Sequence, residues 1–187
     1  MKEIVAETVK YLKAGKTILY PTDTIWGIGC DATNSKAVQK VYKLKERVEN
    51  KNLIVLLETA DKLSDYMEKV PEVAYDLIES MDTPLTIIYP DSKGLAKNVI
   101  ADDKSIAIRV VKNEFCIELL KAFAKPIVST SANVSSEATP LTFSKISEKI
   151  KNNVGYTVNL SRNLINKVKP STIIRLGVDG EFEIIRK

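Results

Sequence analysis

Three short runs in this 187-residue chain concentrate groups that bind anions. The first is Pro21-Thr22-Asp23-Thr24, followed by Gly27 and Gly29. Hydroxyls and glycines just past a strand can present side-chain and backbone donors to a phosphate or carboxylate. The same residues equally suit a strand-to-helix turn in which Thr and Asp act as caps. The second run is Lys43, Lys45, Arg47 and Lys51, between a helix and a strand. Arginine forks phosphate oxygens bidentately and lysine supplies a mobile point charge, so the set could hold a polyphosphate. It could also be a solvated helix end whose cations complement the macrodipole. Glu46 and Glu49 are interleaved with these cations, which argues against a simple nucleic-acid patch. The third run, Ser129-Thr130-Ser131-Ala132-Asn133, ends an apolar strand where α/β sheets place ligands, or else forms a hydrogen-bonded loop. Together the three describe an α/β protein with an anion or nucleotide site. Their spacing names no reaction.

What is missing narrows the chemistry. The chain has no histidine, which removes Ser-His-Asp and Cys-His nucleophilic machinery and every zinc site that needs imidazole. Phosphate chemistry survives that exclusion, because it depends largely on positioning and charge neutralisation. Neither the Gly-x4-Gly-Lys-[Ser/Thr] loop nor the Gly-x-Gly-x-x-Gly fingerprint is present. Cys30 and Cys116 stand far apart without metal-type spacing and read as free, buried thiols. A net charge of +4 is a mild bias toward anionic ligands and no more.

The elements that must position these runs follow from periodicity. Ile4, Val5, Thr8, Val9 and Leu12 recur at helical spacing up to Gly15. A buried strand is expected over Thr17–Tyr20, then a polar, glycine-punctuated loop from Pro21 to Cys30, then a helix through Ala37–Leu44. Further strands are read at 53–57, 85–89, 105–110, 126–130, 156–160, 172–176 and 182–185, the last two joined by a turn at Asp179-Gly180. Helices are read at 61–69, 71–81, 114–123 and 143–150. Interleaved helices and short apolar strands predict a single α/β domain over residues 1–187 with a mixed sheet. No apolar run approaches the ~20 residues that span a bilayer. Met1–Lys16 lacks the uninterrupted apolar stretch of a signal peptide, so a cytoplasmic protein is expected.

The anion-binding runs also carry a family likeness. Tyr20-Pro-Thr-Asp-Thr-Ile-Trp-Gly-Ile-Gly-Cys30, Lys45-Glu-Arg47 with Lys51 leading into Leu53-Ile-Val-Leu, and Pro84-Leu-Thr86 come first. Ile106-Ala-Ile-Arg109-Val, Pro126-Ile-Val-Ser-Thr-Ser-Ala-Asn133 and Ser171-Thr-Ile-Ile174 follow in the same order. Over essentially its whole length the chain resembles the YrdC family of threonylcarbamoyl-AMP synthases, in its short single-domain form. The resemblance implies a twisted mixed sheet flanked by helices, with a basic concave face. It implies a nucleotidyltransferase that makes threonylcarbamoyl-AMP and pyrophosphate from L-threonine, bicarbonate and ATP. The product serves tRNA threonylcarbamoyladenosine modification through downstream transfer enzymes, with possible tRNA or double-stranded RNA contact.

Carried over by motif, Arg47, Lys51, Ser131, Thr139, Ser105 and Arg186 would contact ATP, with Mg2+ on its phosphates. Thr22, Thr24, Arg109, Ser129 and Ser171 would contact threonine, and Lys45 and Asn133 would complete a catalytic tetrad with Arg47 and Ser131. The chain departs from the pattern at Trp26, Val48, Asn52, Asp82-Thr83, Val111, Ser136 and Arg175. Most of these replace Pro or Gly, which shape loops rather than supply chemistry. A rival reading is a non-catalytic, RNA-binding YrdC/YciO-type paralogue. Retention of Lys45, Arg47 and Lys51 favours the synthase.

Overall fold

The computed structural model describes residues 1–47, 53–162 and 170–187. It begins with α1 (Lys2–Lys13), β1 (Ile18–Pro21), β2 (Trp26–Asp31), α2 (Ser35–Lys45) and β3 (Ile54–Leu57). A 3-10 turn, Ala60–Lys62, leads to α3 (Leu63–Tyr66), α4 (Glu72–Ser80), β4 (Leu85–Tyr89), β5 (Ile106–Val110), α5 (Glu114–Phe123) and β6 (Ile127–Ser131). A second 3-10 turn, Phe143–Lys145, precedes α6 (Glu148–Asn153), β7 (Tyr156–Thr157), β8 (Thr172–Leu176) and β9 (Phe182–Arg186).

Among the described residues nine strands form one sheet in the order β7-β1-β2-β6-β3-β5-β4-β8-β9. The pairs β1/β7, β3/β5 and β4/β8 are parallel and the rest antiparallel, so the sheet is mixed as expected. Among the described residues no helix is long and apolar enough to cross a membrane.

One expectation fails informatively. The glycine-punctuated stretch read as a loop contains β2, hydrogen-bonded between β1 and β6. Trp26, Ile28 and Cys30 alternate with Gly27 and Gly29, and alternation marks a strand. Glycine is needed at Gly29 because a Cβ there would lie 2.6 Å from the Val128 carbonyl oxygen and 2.8 Å from the Tyr20 ring. Two expected helices are also shorter, 61–69 contracting to α3 and 143–150 splitting into the second 3-10 turn and α6.

Strand alternation sends side chains to two unlike faces. On one face Trp26, Ile28, Cys30, Val55, Leu57, Ile87, Ile106, Ile108, Val128 and Ile174 pack with Val38 and Val41 of α2 and Ala74 of α4. Asn34 caps α2 by accepting from the Lys36 and Ala37 amides, which fixes where that helix starts. On the other face Ile18, Tyr20, Leu56 and Ile127 lie with Val5, Val9 and Leu12 of α1 and Phe115, Leu119, Leu120 and Phe123 of α5. Each such buried side chain contributes roughly 1.5–3 kcal/mol relative to exposure. These two helices cover only one end of that face. Both cysteines are free and buried, as read from the sequence.

Candidate active site

At the end that α1 and α5 leave open, the sheet floors a cavity of about 390 Å³. Its lining includes Gly27 of β2, Ile54 of β3, Ile88 of β4, Ala107 and Arg109 of β5, Ser129 and Ser131 of β6, and Ile173 of β8. Strand register brings them side by side: Gly27 pairs with Ser131, and Ile54 pairs with both Ser129 and Ala107. Gly27 keeps the floor low, since a Cβ there would come within 3.2 Å of the Ser129 hydroxyl. Thr22, Thr24, Arg47, Thr139, Ser171 and Arg186 complete the rim. Nine of the sequence-nominated residues therefore meet in one place: Thr22, Thr24, Arg47, Arg109, Ser129, Ser131, Thr139, Ser171 and Arg186.

Arg109 is the buried centre of this cluster, 4% exposed. Its Nη1 donates to the Thr24 hydroxyl at 3.3 Å, and its Nη2 lies 3.2 Å from the Asp23 carboxylate. The Nε–H is buried and has no partner among the described residues. An unmet buried donor costs about 1–3 kcal/mol, which a bound anion would offset. Thr24 is held in turn by Thr22, whose hydroxyl also bonds the Ile25 carbonyl at 2.7 Å. Ser171 is gripped from two sides: its hydroxyl bonds Thr86 at 2.8 Å, and its carbonyl accepts from Arg186 Nη2 at 2.8 Å.

Burial lowers the Arg186 pKa, and the neighbouring Arg109 charge lowers it further. Burial likewise lowers that of Arg47. Both stay protonated at any physiological pH, and among the described residues the cavity lining holds three arginines and no carboxylate.

Lys45 and Asn133 stand behind the wall rather than in it. Lys45 is 2% exposed, and its ammonium donates to the Ser131 carbonyl at 2.6 Å and the Asn133 carbonyl at 2.7 Å. The Lys45 carbonyl accepts from the Ser135 amide. Asn133 donates to the carbonyls of Val134 and Glu137, while its buried Oδ1 has no partner among the described residues. Desolvation, with a smaller push from Arg47, lowers the Lys45 pKa to about 8.

Ser105 does not line the cavity. It bonds Asp103 and borders a separate hollow against β8 and β9. Lys43 also points elsewhere, into a cleft with Lys16, Lys40 and Lys149. Lys51, Val48 and Asn52 lie outside the described residues.

Asp23 and Thr86 were not nominated by sequence reasoning as site residues. A signal existed for Thr86, the one aliphatic hydroxyl in the apolar strand Leu85-Thr-Ile-Ile-Tyr89. For Asp23 the signal was a carboxylate between two threonines.

The family model described as telomere recombination, Sua5/YciO/YrdC, matches residues 10–187. The threonylcarbamoyl-AMP synthase of Pseudoalteromonas translucida is 32% identical over 172 residues, covering 90% of this chain and 91% of that one. The chain belongs to the Sua5/YciO/YrdC family. Among solved structures of the family, E. coli YciO superposes with a TM-score of 0.85 at 24% identity, over 100% of this chain and 90% of that one. P. abyssi Sua5 in complex with L-threonine gives 0.82 at 23% identity, over 92% of this chain and 50% of that one. This chain thus spans about half of that Sua5 protein, and both superpositions establish the shared fold. Each of the six sequence stretches that resemble YrdC proteins lies at the cavity: five supply a lining residue, and Pro84-Leu-Thr86 supplies the brace behind Ser171.

Proposed function

We propose that this protein is an L-threonylcarbamoyladenylate synthase, joining L-threonine, bicarbonate and ATP into threonylcarbamoyl-AMP with release of pyrophosphate, for tRNA threonylcarbamoyladenosine modification. The observation that carries the reading is the convergence of Arg47, Arg109 and Arg186 on one hydroxyl-rich cavity. It is supported by the similarity to curated threonylcarbamoyl-AMP synthases along nearly the whole chain.

The division of labour follows from the contacts. Arg109, with Thr24 and Ser129, suits the threonine carboxylate, because its unpaired Nε–H and fixed neighbours present a preset fork. Ser171, held by Thr86 and Arg186, suits the amino-acid side of the same subsite. Arg47, Ser131, Thr139 and Arg186 suit the triphosphate, and the family resemblance assigns Lys51 to the same ligand. In the reaction the threonine amine bonds to the carbon of bicarbonate, expelling water and giving a carbamate. A carbamate oxygen then bonds to the α-phosphorus of ATP as the bond to pyrophosphate breaks. Negative charge builds on the transferring and leaving groups, where fixed cations in a half-enclosed site lower the barrier most.

The donor set does not fit a resident metal. Among the described residues no group of three or more His, Cys, Asp or Glu could hold one, and the cavity lining has no carboxylate. Magnesium therefore enters as part of the MgATP substrate.

The deciding experiment is pyrophosphate release by the purified protein with MgATP, adding threonine and bicarbonate separately and together. Release that requires both is the expected result. ATP binding without turnover would sink the synthase reading.

A further inference from the structure

Arg109 has a carboxylate beside it, and its neighbour Arg186 does not. Arg186 donates to the Ser171 carbonyl and, among the described residues, forms no ion pair. Arg109 lies 3.2 Å from the Asp23 carboxylate, with the two side chains only 5% and 11% exposed. Asp23 is not part of the cavity lining, so from the ligand's side it stands behind Arg109.

The link between β1 and β2 builds this arrangement. The Thr22 hydroxyl donates to the Ile25 carbonyl and accepts from the Thr24 and Ile25 amides, at 3.1 and 3.3 Å. That closed turn sets two consecutive residues against one guanidinium, Asp23 at Nη2 and Thr24 at Nη1. The other titratable groups that feel Asp23 are Tyr20 of β1 and Cys116 of α5. Burial raises the pKa of both, so both are neutral and Arg109 is the cation that Asp23 meets.

The contact works by charge rather than as a clamp. Both Asp23 oxygens are buried with no hydrogen-bond partner among the described residues, so the approach to Arg109 is an ion pair without hydrogen-bond alignment. Such a pair contributes little to stability, because desolvation offsets most of the attraction. It does cancel the Arg109 charge while leaving the Nε–H unused. The charge of Arg109 reaches Arg186, whose pKa it lowers. Without Asp23 these two arginines would form a doubly cationic end of the cavity, suited to phosphate. With Asp23 the same donors remain and one charge is gone. A carboxylate that carries its own ammonium still finds the donors, whereas a simple anion loses most of its electrostatic gain.

We propose that Asp23 is a specificity-determining residue: acting through Arg109, it makes this end of the cavity select a zwitterionic α-amino acid over simple carboxylates and phosphates. The proposal rests on the assignment of Arg109 to the threonine carboxylate and adds what turns the wrong anions away.

The test is titration calorimetry of wild type, Asp23→Asn, Asp23→Glu and Asp23→Asn/Arg109→Met, with L-threonine and inorganic phosphate as separate probes. In Asp23→Asn, which keeps the shape and loses the charge, the ratio of phosphate to threonine affinity should rise about tenfold or more. Asp23→Glu should keep the wild-type ratio, and the double variant should lose the phosphate gain. An unchanged ratio in Asp23→Asn would overturn the proposal, as would a phosphate gain that survives removal of Arg109. If Asp23→Asn melts below the assay temperature, wild type alone decides, by comparing threonine with its analogue bearing a hydroxyl in place of the ammonium. The analogue should bind about tenfold more weakly, and equal binding would overturn the proposal. Pyrophosphate release by wild type is scored separately. Its failure would sink the synthase reading, while the phosphate gain and its loss in the double variant need no turnover.

Discussion

Two ends of a single sheet face behave as different materials. At the α1/α5 end Ile18, Leu56 and Ile127 are buried among helix side chains. Two residues further along β6, and one register step across to β2, the same face presents Ser129, Ser131 and Gly27 to a cavity ringed by arginines. Backbone geometry is continuous across the boundary, so it cannot be the cause. The helices decide: where they lie, apolar side chains are dry, and where they stop, polar groups line a space a ligand can enter. A site of this kind needs no separate domain, only an uncovered stretch of core sheet.

The sharpest test of that division is a paired substitution. Arg47→Ala, at the open end, is expected to lower kcat/KM for pyrophosphate release by 10²–10³-fold or more, with little change in melting temperature, as when one charge-stabilising donor is lost. Ile127→Ala, at the packed end, should destabilise by about 2–5 kcal/mol while the folded fraction keeps its turnover. If Ile127→Ala abolished turnover at full folding, or Arg47→Ala unfolded the chain, the two ends would not be separable.

Lys45 lies between the two regimes, a cation used as a structural strut. Its pKa falls from 10.5 unfolded to about 8 folded. The unfolded chain thus binds the extra proton between those values, so through this group stability rises as pH climbs from about 8 to 10.5. The full shift amounts to about 3 kcal/mol. Burial raises the pKa values of Cys30, Cys116 and Tyr20, which works in the opposite direction at the upper end of that window. The measurement is therefore a difference, denaturant unfolding of wild type against Lys45→Met across pH 7 to 10. The wild type should gain relative to the variant as pH rises, and a flat difference would show that Lys45 carries no such shift.

The smallest effect separates two glycines on one strand. Gly29→Ala would press a methyl group on the Val128 carbonyl oxygen and the Tyr20 ring, at a cost of about 1–3 kcal/mol. Gly27→Ala meets the Ser129 hydroxyl at 3.2 Å, the Thr22 methyl group at 3.4 Å and the Thr130 carbonyl oxygen at 3.5 Å, none closer than 3 Å. It should leave stability within about 0.5–1 kcal/mol of wild type and raise KM by narrowing the cavity floor. Reversal of that order in thermal melts and kinetics would mean the boundary is drawn in the wrong place.

Much of this was legible in the chain itself. Period-3.6 patterns placed α1, α2 and α5, and apolar runs placed β4 and β8, because those signals depend only on which side chains neighbour one another along the backbone. The absence of histidine and the order of the polar runs limited the chemistry before any fold was known. The alternation over Trp26–Cys30 already carried a strand signal, but only contact with Val128 and Tyr20 in the tertiary structure explains why glycine stands at Gly29. The tertiary structure alone decided which cations face a ligand. Arg47, Arg109 and Arg186 come from distant positions and meet through sheet order. Lys45 continues the buried face of α2 four residues after Val41 and meets two carbonyls that come from β6 and the loop after it, while the left-handed backbone at Glu46 ends the helix before Arg47. Sequence determines which groups are available and which local elements form. Direction and company are set by long-range packing, to which a local pattern has no access.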